Sequence, residues 1–370
     1  MKHISVLIKP ASSLCNLRCK YCFYANVSSL REVRSFGKMK EETARKMIDN
    51  IFKELNDGDE LTLAFQGGEP TLAGLNYYQN IISLVSGQDK KVSVHYAIQT
   101  NGTIINDNWC EFLKDHHFLV GLSIDGHPLH HDLNRLDTRK RGTFHRVLQT
   151  KELFDSYEID YNVLCVLTEP LADEAEIVFR FLMDHNIRYV QFIPCLDDLN
   201  ESNGTGHALT PQKFADFYMQ ILDYWFIELA KGNYISIKLF DDIFNLLVRH
   251  EMTACGILGN CQVQYVIEAD GSVYPCDFYV LDEYRMGYIQ NQTLRDLFEQ
   301  DIPKQFLCSR TSLPEKCNTC PFRSMCRGGC KRMKDAMYVD EKDFCGYQSL
   351  LKEFVPKIDE ILALLQGVTV

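Results

Sequence analysis

No apolar run in this chain is long enough to cross a membrane. The opening residues, Met1-Lys2-His3-Ile4-Ser5, lead straight into a strand-like run with no signal-peptide pattern. An excess of basic charge is also missing. Lys and Arg number 39 against 50 Asp and Glu, and the net charge is −11. That excludes nonspecific attachment to nucleic acid or to an acidic membrane surface. What remains is ordinary globular composition, 46% hydrophobic and 24% charged over 370 residues. This is enough for a large core and more than one domain. A cytoplasmic protein is expected. Cysteine is the one abundant reactive type, at fifteen residues. Structural disulfides are rare in a reducing compartment, so an odd, clustered set argues for metal.

The first cluster, Cys15-x3-Cys19-x2-Cys22, follows the apolar run Ser5–Lys9 and has no fourth cysteine beside it. Iron–sulfur clusters ordinarily take four thiolates from a chain. Three leave one iron open, as a catalytic metal site keeps a position for its substrate. A zinc site with a distant fourth ligand, or three unrelated thiols, are the alternatives.

Short apolar runs then alternate with helical patterns through the first two-thirds of the chain. Strands are expected at 5–9, 61–66, 92–99, 118–124, 161–167 and 189–193. Helices are expected at 39–55, 77–86, 108–115, 143–157 and 173–186. Alternation of this kind makes a parallel sheet with helices outside. Polar or glycine-containing segments follow the strands: the cysteine loop, Gln66-Gly67-Gly68-Glu69-Pro70, Gln99-Thr100-Asn101-Gly102, Ser123-Ile124-Asp125-Gly126 and Pro194-Cys195-Leu196-Asp197. In barrel-like α/β folds that rim carries the active site. A polar loop is expected over 199–206. Thr210 then caps a helix with Pro211 in its first turn.

A second cysteine field holds Cys255, Cys261 and Cys276, then Cys317-x2-Cys320-x5-Cys326-x3-Cys330, then Cys345. Eight thiols suit two four-ligand centres, of iron–sulfur or of zinc; spacing does not choose between them. Between Cys261 and Cys276 the sequence reads as a hairpin, 264–268 and 272–275, around Ala269-Asp270-Gly271. A final helix is expected over 350–366.

The cysteine loop, with aromatic Tyr21 before its last cysteine, resembles that of the radical S-adenosylmethionine (AdoMet) enzymes. The likeness covers about residues 4–200 and extends to Gly67-Gly68-Glu69-Pro70 and Leu133-Asn134-Arg135. It implies an α/β fold, a partial (β/α)6 TIM-like barrel followed by a cysteine-rich SPASM-type iron–sulfur domain. The implied organisation is a barrel at 1–200, a helical connection at 201–250, the SPASM-type domain at 251–348 and a C-terminal helix at 349–370. The cofactors implied are AdoMet and three 4Fe–4S clusters. By resemblance Cys15, Cys19 and Cys22 hold the cluster that binds AdoMet. Tyr21, Gly68, Ser123, Arg135 and Leu196 contact AdoMet. One auxiliary cluster takes Cys255, Cys261, Cys276 and Cys330; the other takes Cys317, Cys320, Cys326 and Cys345. Cys110, Cys165, Cys195 and Cys308 are left without a role. Oxygen sensitivity of such clusters implies an anaerobic or microaerobic host.

Within that group the chain is most similar to the anaerobic sulfatase-maturating enzymes. The stretches Leu7–Ser13, Ala64–Gly74 and Asp270–Tyr279 carry the likeness. The resemblance implies oxidation of a cysteine or serine in a sulfatase Cys/Ser-x-Pro-x-Arg motif to Cα-formylglycine, with Asp277 taking the side-chain proton. It also implies a sulfatase polypeptide as partner, a flavodoxin or ferredoxin as electron donor, and a monomer. Maturation of a ribosomal peptide is the competing reading. Only fourteen residues precede Cys15, which leaves no room for a leader-binding domain. A noncatalytic zinc-binding interaction protein is the third.

Overall fold

The computed structural model describes residues 1–200, 206–309 and 312–367. Its strands in chain order are β1 (His3–Ile8), β2 (Leu17–Cys19), β3 (Glu60–Phe65), β4 (Ser93–Thr100), β5 (Phe118–Ser123), β6 (Arg135–Asp137), β7 (Tyr161–Leu167), β8 (Tyr189–Pro194), β9 (Ser236–Ile237), β10 (Val266–Ile267), β11 (Ser272–Tyr274) and β12 (Gly287–Tyr288). All six strands expected from the apolar runs are present. The chain forms two compact units, each assembled from separate stretches of sequence.

The first unit comprises 1–123, 135–161 and 262–309. β1, β3, β4 and β5 pair in parallel in that order. Parallel pairing requires crossovers, and the helices Glu41–Lys53, Leu75–Ser86 and Asp107–Asp115 supply them. The helices lay Met47, Ile48, Ile51, Tyr78, Trp109 and Phe112 over the sheet, where Val6, Ile8, Leu61, Leu63 and Phe65 are wholly buried. That burial supplies the main stabilisation, about 1.5–3 kcal/mol for each large side chain removed from water. On the other edge β1 pairs in parallel with β10, which continues antiparallel through β11 and β12.

The expected hairpin is therefore present but shorter than its sequence pattern. Tyr265 has φ 47°, a left-handed conformation that ends the ladder before Val266. Gly271, at φ 88°, closes the turn by donating its N–H to Glu268 O at 2.8 Å. A small antiparallel pair, β2 with β6, has no counterpart in the sequence reading.

The second unit comprises 124–134, 162–261 and 310–370. β7, β8 and β9 pair in parallel. The helix expected at 173–186 is split into Glu169–Ala172 and Ala175–Asp184. Thr168 caps the first piece through Leu171 N–H, and Pro170 sits in its first turn. The helix Pro211–Ala230 begins as its sequence requires, with Thr210 accepting from Lys213 N–H. It packs against Gly346–Phe354 so closely that a Cβ on Gly346 would lie 2.2 Å from Pro211 O. The expected terminal helix is bent. Pro356 lacks the donor a continuous helix needs, so a 3-10 turn, Val355–Lys357, separates Gly346–Phe354 from Ile358–Gly367. Part of the loop expected at 199–206 lies outside the described residues.

Candidate active site

In the first unit the cysteine loop begins where β1 ends. Lys9 N–H donates to Ile267 O at 2.8 Å, and tight turns at Ser12 and Leu14 lead to Cys15. Cys19 lies in β2, in register with Arg135 of β6. Cys22 is the N-cap of the helix Phe23–Ser29. All three thiols are partly exposed. Cys15 Sγ accepts Leu17 N–H at 3.3 Å and faces Asn101 Nδ2 at 3.9 Å. Burial pushes its thiol up to about 11, the Leu17 N–H offsets part of that, and the nearby charges of Glu69 and Cys22 add to it. Such a thiol becomes a ligand only when a cation stabilises the thiolate, which is what iron supplies.

The glycine segment has a structural duty. A Cβ on Gly68 would stand 2.2 Å from Leu14 O and 2.7 Å from the Ser13 carbonyl carbon. Gly68 N–H donates to Ser12 O at 2.9 Å and Glu69 N–H to Leu14 O at 2.7 Å. The segment thus clamps the cysteine loop by backbone contact. The Glu69 carboxylate is buried and takes Thr71 N–H and Oγ1, Thr100 Oγ1 and Asn101 N–H at 2.5–3.1 Å. Burial still moves its pKa up. Sequence reading gave Glu69 no role of its own.

Tyr21 and Arg135 lie together, the guanidinium 5.7 Å from the ring centroid, within the distance at which a cation and a ring attract. Arg135 is buried rather than a surface cation, and Ser123 is buried at the end of β5. Leu196 follows β8 in the second unit.

Asp277 directly follows Cys276 and opens a 3-10 turn, Asp277–Tyr279, at the end of the hairpin. Its Oδ1 lies 2.9 Å from Lys9 Nζ; the two side chains are 13% and 4% exposed. Tyr24 OH donates to Oδ2 at 2.6 Å, with Gln66 Oε1 3.4 Å from the same hydroxyl. Lys9 Nζ also sits 4.5 Å from the Tyr24 ring centroid. Burial, then the Asp277 charge, holds the Tyr24 phenol well above its usual pKa, so it stays a donor. Oδ1 is buried and accepts no aligned hydrogen bond among the described residues. A carboxylate held by a cation on one side and a hydroxyl on the other, with a lone pair to spare, is equipped to take a proton. Lys9, Tyr24 and Gln66 were missed in the sequence. Their only signal was position, at or just past β1, β3 and the cysteine loop.

In the second unit Cys317, Cys320, Cys326 and Cys345 line one cavity. Cys345 caps the helix Gly346–Phe354 and its sulfur accepts Gln348 N–H at 3.4 Å; Gln348 Nε2 donates to Cys320 Sγ at 3.1 Å. Burial pushes Cys326 up to about 11, with the charges of Cys345, Cys320 and Cys317 acting in the same direction. Four thiols around one cavity, with N–H donors aimed at two of their sulfurs, fit a 4Fe–4S cluster, whose sulfurs accept such bonds. Among the described residues no three His, Cys, Asp or Glu converge as tightly as one metal ion needs. A four-iron cube is a larger object than one ion.

Of the other expected set, Cys255, Cys261 and Cys330 belong to the second unit and Cys276 to the first. Gly256 lets the Cys255 loop approach Cys330: a Cβ there would lie 2.8 Å from Cys330 Cβ. Cys110, Cys165 and Cys195 are buried, Cys195 raised to about 12 mainly by burial, while Cys308 is exposed. No helix among the described residues is long and apolar enough to cross a membrane.

Residues 10–182 match the Radical SAM superfamily, and residues 255–321 match the SPASM iron–sulfur cluster-binding domain. The chain is 38% identical to the cysteine-type anaerobic sulfatase-maturating enzyme of Clostridium novyi, over 99% of both chains. Its identity to the serine-type enzyme of Klebsiella aerogenes is 29%, over 88% of this chain and 79% of that one. The solved structure of native anSMEcpe with bound AdoMet and Kp18Cys peptide superposes with a TM-score of 0.89 at 37% identity, covering 99% of this chain and all of that one. A relationship of 38% identity that runs the whole length of both chains shows the family: the chain belongs to the anaerobic sulfatase-maturating enzymes of the radical SAM superfamily.

Proposed function

We propose that the chain oxidises a cysteine in a sulfatase Cys-x-Pro-x-Arg segment to Cα-formylglycine (3-oxoalanine). The observation that carries the chemistry is Asp277, held between Lys9 and Tyr24 one residue from Cys276. Preference for cysteine over serine is supported by the higher identity to the cysteine-type relative.

Cys15, Cys19 and Cys22 would hold the AdoMet-binding cluster. Cys255, Cys261, Cys276 and Cys330 would hold one auxiliary cluster, and Cys317, Cys320, Cys326 and Cys345 the other. When bound, AdoMet and the three clusters supply a 5′-deoxyadenosyl radical that takes hydrogen from the substrate Cβ and an acceptor for the electron left behind. The chain supplies the rest. Tyr21, Gly68, Ser123, Arg135 and Leu196 are assigned to AdoMet, with the paired donors of Arg135 suited to its carboxylate. Asp277 Oδ1 takes the thiol proton, Lys9 balances the carboxylate charge, and Tyr24 fixes its second oxygen. The substrate has then lost a hydrogen atom, a proton and an electron, and is a thioaldehyde. Hydrolysis gives the aldehyde.

The domain assignment remains a barrel at 1–200, a connection at 201–250, a SPASM-type domain at 251–348 and a terminal helix at 349–370; the family matches at 10–182 and 255–321 support it. The partners are a sulfatase polypeptide and a flavodoxin or ferredoxin as one-electron donor. The enzyme works as a cytoplasmic monomer. Anaerobic incubation with AdoMet, reductant and peptides bearing Cys-x-Pro-x-Arg or Ser-x-Pro-x-Arg tests the reading by product mass. Aldehyde from the cysteine peptide is expected. 5′-Deoxyadenosine without aldehyde from either peptide would overturn it.

A further inference from the structure

Gln348 makes two different contacts to one group of thiols. Its backbone N–H donates to Cys345 Sγ at 3.4 Å, and its side-chain Nε2 to Cys320 Sγ at 3.1 Å. Both sulfurs line the cavity shared with Cys317 and Cys326, and Gln348 lines it too. The backbone contact is fixed by the fold, because Cys345 is the N-cap of Gly346–Phe354 and Gln348 is its third residue. The side-chain contact is a choice of residue. A thiolate only accepts, so the amide turns its NH2 end toward Cys320.

We propose that Gln348 raises the reduction potential of the cluster held by Cys317, Cys320, Cys326 and Cys345. The inference rests on the cluster assignment proposed above. Reduction adds one electron to this cluster. No bond forms or breaks at Gln348. An added electron increases the negative charge on the sulfurs. N–H donors aimed at them therefore stabilise the reduced form more than the oxidised one. The positive end of the helix acts in the same direction. Lys316, Arg323 and Lys334 also line the cavity, but substitution of Gln348 leaves them in place, so the amide's share can be separated from theirs. Gln348 is a positioning residue, since it acts on the electron only through the thiolates.

The test is an anaerobic potentiometric titration of the reconstituted holoprotein, followed by electron paramagnetic resonance, for the wild type, Gln348→Leu and Gln348→Glu. Leu removes the donor; Glu keeps the shape and adds negative charge. In both variants one of three one-electron waves is expected to move to lower potential, further in Glu than in Leu. The other two waves and the iron content should stay as in the wild type. Three unmoved waves would overturn the inference. Loss of about one cluster's iron from both variants would also overturn it, leaving Gln348 a packing group. Fewer than three waves in the wild type would instead overturn the cluster assignment beneath it, and the inference would go with it.

Discussion

Lys9 Nζ stands 2.9 Å from Asp277 Oδ1, although the two residues are 268 positions apart in the sequence. The sheet brings the two segments together: β1 pairs with β10, with Ile8 opposite Ile267, and the hairpin returns through β11 to Cys276 and the 3-10 turn that opens on Asp277. Removing one partner of a buried pair leaves an uncompensated charge, at a cost of about 3–5 kcal/mol. Lys9→Met is therefore expected to lower the melting temperature and to uncouple the reaction. 5′-Deoxyadenosine formation should persist while aldehyde falls about tenfold or more, since each 1.4 kcal/mol of lost stabilisation is a factor of ten. Lys9→Arg should restore most of the ratio. An unchanged ratio of aldehyde to 5′-deoxyadenosine in Lys9→Met would show that the pair is structural only.

Asp277→Asn removes the proton acceptor and also leaves the buried Lys9 ammonium without its anion. General-base removal costs about 10²–10⁴-fold. Aldehyde formation is expected to fall by that order while AdoMet cleavage continues. Chromatography of both products from one incubation checks this, and normal aldehyde yield would remove Asp277 from the mechanism.

The Tyr24 phenol is held above its ordinary pKa of 10.0 by burial and by Asp277. The sign follows directly: a raised phenol keeps its proton as pH passes 10, so the hydrogen bond to Asp277 survives there. Tyr24→Phe should lower aldehyde yield about 10- to 100-fold, the worth of one hydrogen bond to a charged group of roughly 1.5–3 kcal/mol. The loss should be the same at every pH. An alkaline limb below pH 10 that disappears in Tyr24→Phe would contradict a permanently protonated Tyr24.

Arg31 and Glu268 form a second buried pair, at 2.6 Å with side chains 2% and 1% exposed. It ties the segment after the cysteine loop to the turn of the hairpin that leads to Cys276. Glu268→Gln leaves the guanidinium without its anion and should cost about 3–5 kcal/mol, whereas Arg31→Met combined with Glu268→Leu should cost less, because an apolar pair needs no compensation. Thermal unfolding of the three proteins decides it. Equal losses would mean that the ion pair adds nothing beyond packing.

The parts legible in the sequence were those with a local period or a fixed spacing. The strand–helix alternation, the Thr210–Pro211 helix start and the Cys317–Cys345 group all belong to this class. The parts that were not legible depend on distant segments meeting. No spacing announces that Lys9 and Tyr24 will flank Asp277, because strand pairing decides it. The β2–β6 ladder that sets Cys19 opposite Arg135 is another case. Local breaks hid inside good apolar patterns as well. Pro356 bent the terminal helix, and Tyr265 in a left-handed conformation shortened the hairpin. The resemblance assigns Gly68 to AdoMet contact; its surroundings show that its missing side chain admits the Leu14 backbone.

That last contact is the sharpest to test, because backbone cannot move aside as a side chain can. In Gly68→Ala the new methyl would meet Leu14 O at 2.2 Å, inside any real contact distance. The cysteine loop must then shift, and the hydrogen bonds from Gly68 and Glu69 to Ser12 and Leu14 must lengthen or break. Cys15, one residue beyond Leu14, shifts with them. The cluster at Cys15, Cys19 and Cys22 should therefore be lost or poorly held, lowering iron from about twelve per chain to about eight, at four irons per cluster. AdoMet cleavage should fall with it, while the two auxiliary clusters still absorb and titrate. Iron analysis and 5′-deoxyadenosine assay on the same anaerobic sample read both quantities. Full iron with impaired AdoMet cleavage would mean that Gly68 serves the ligand and not the loop.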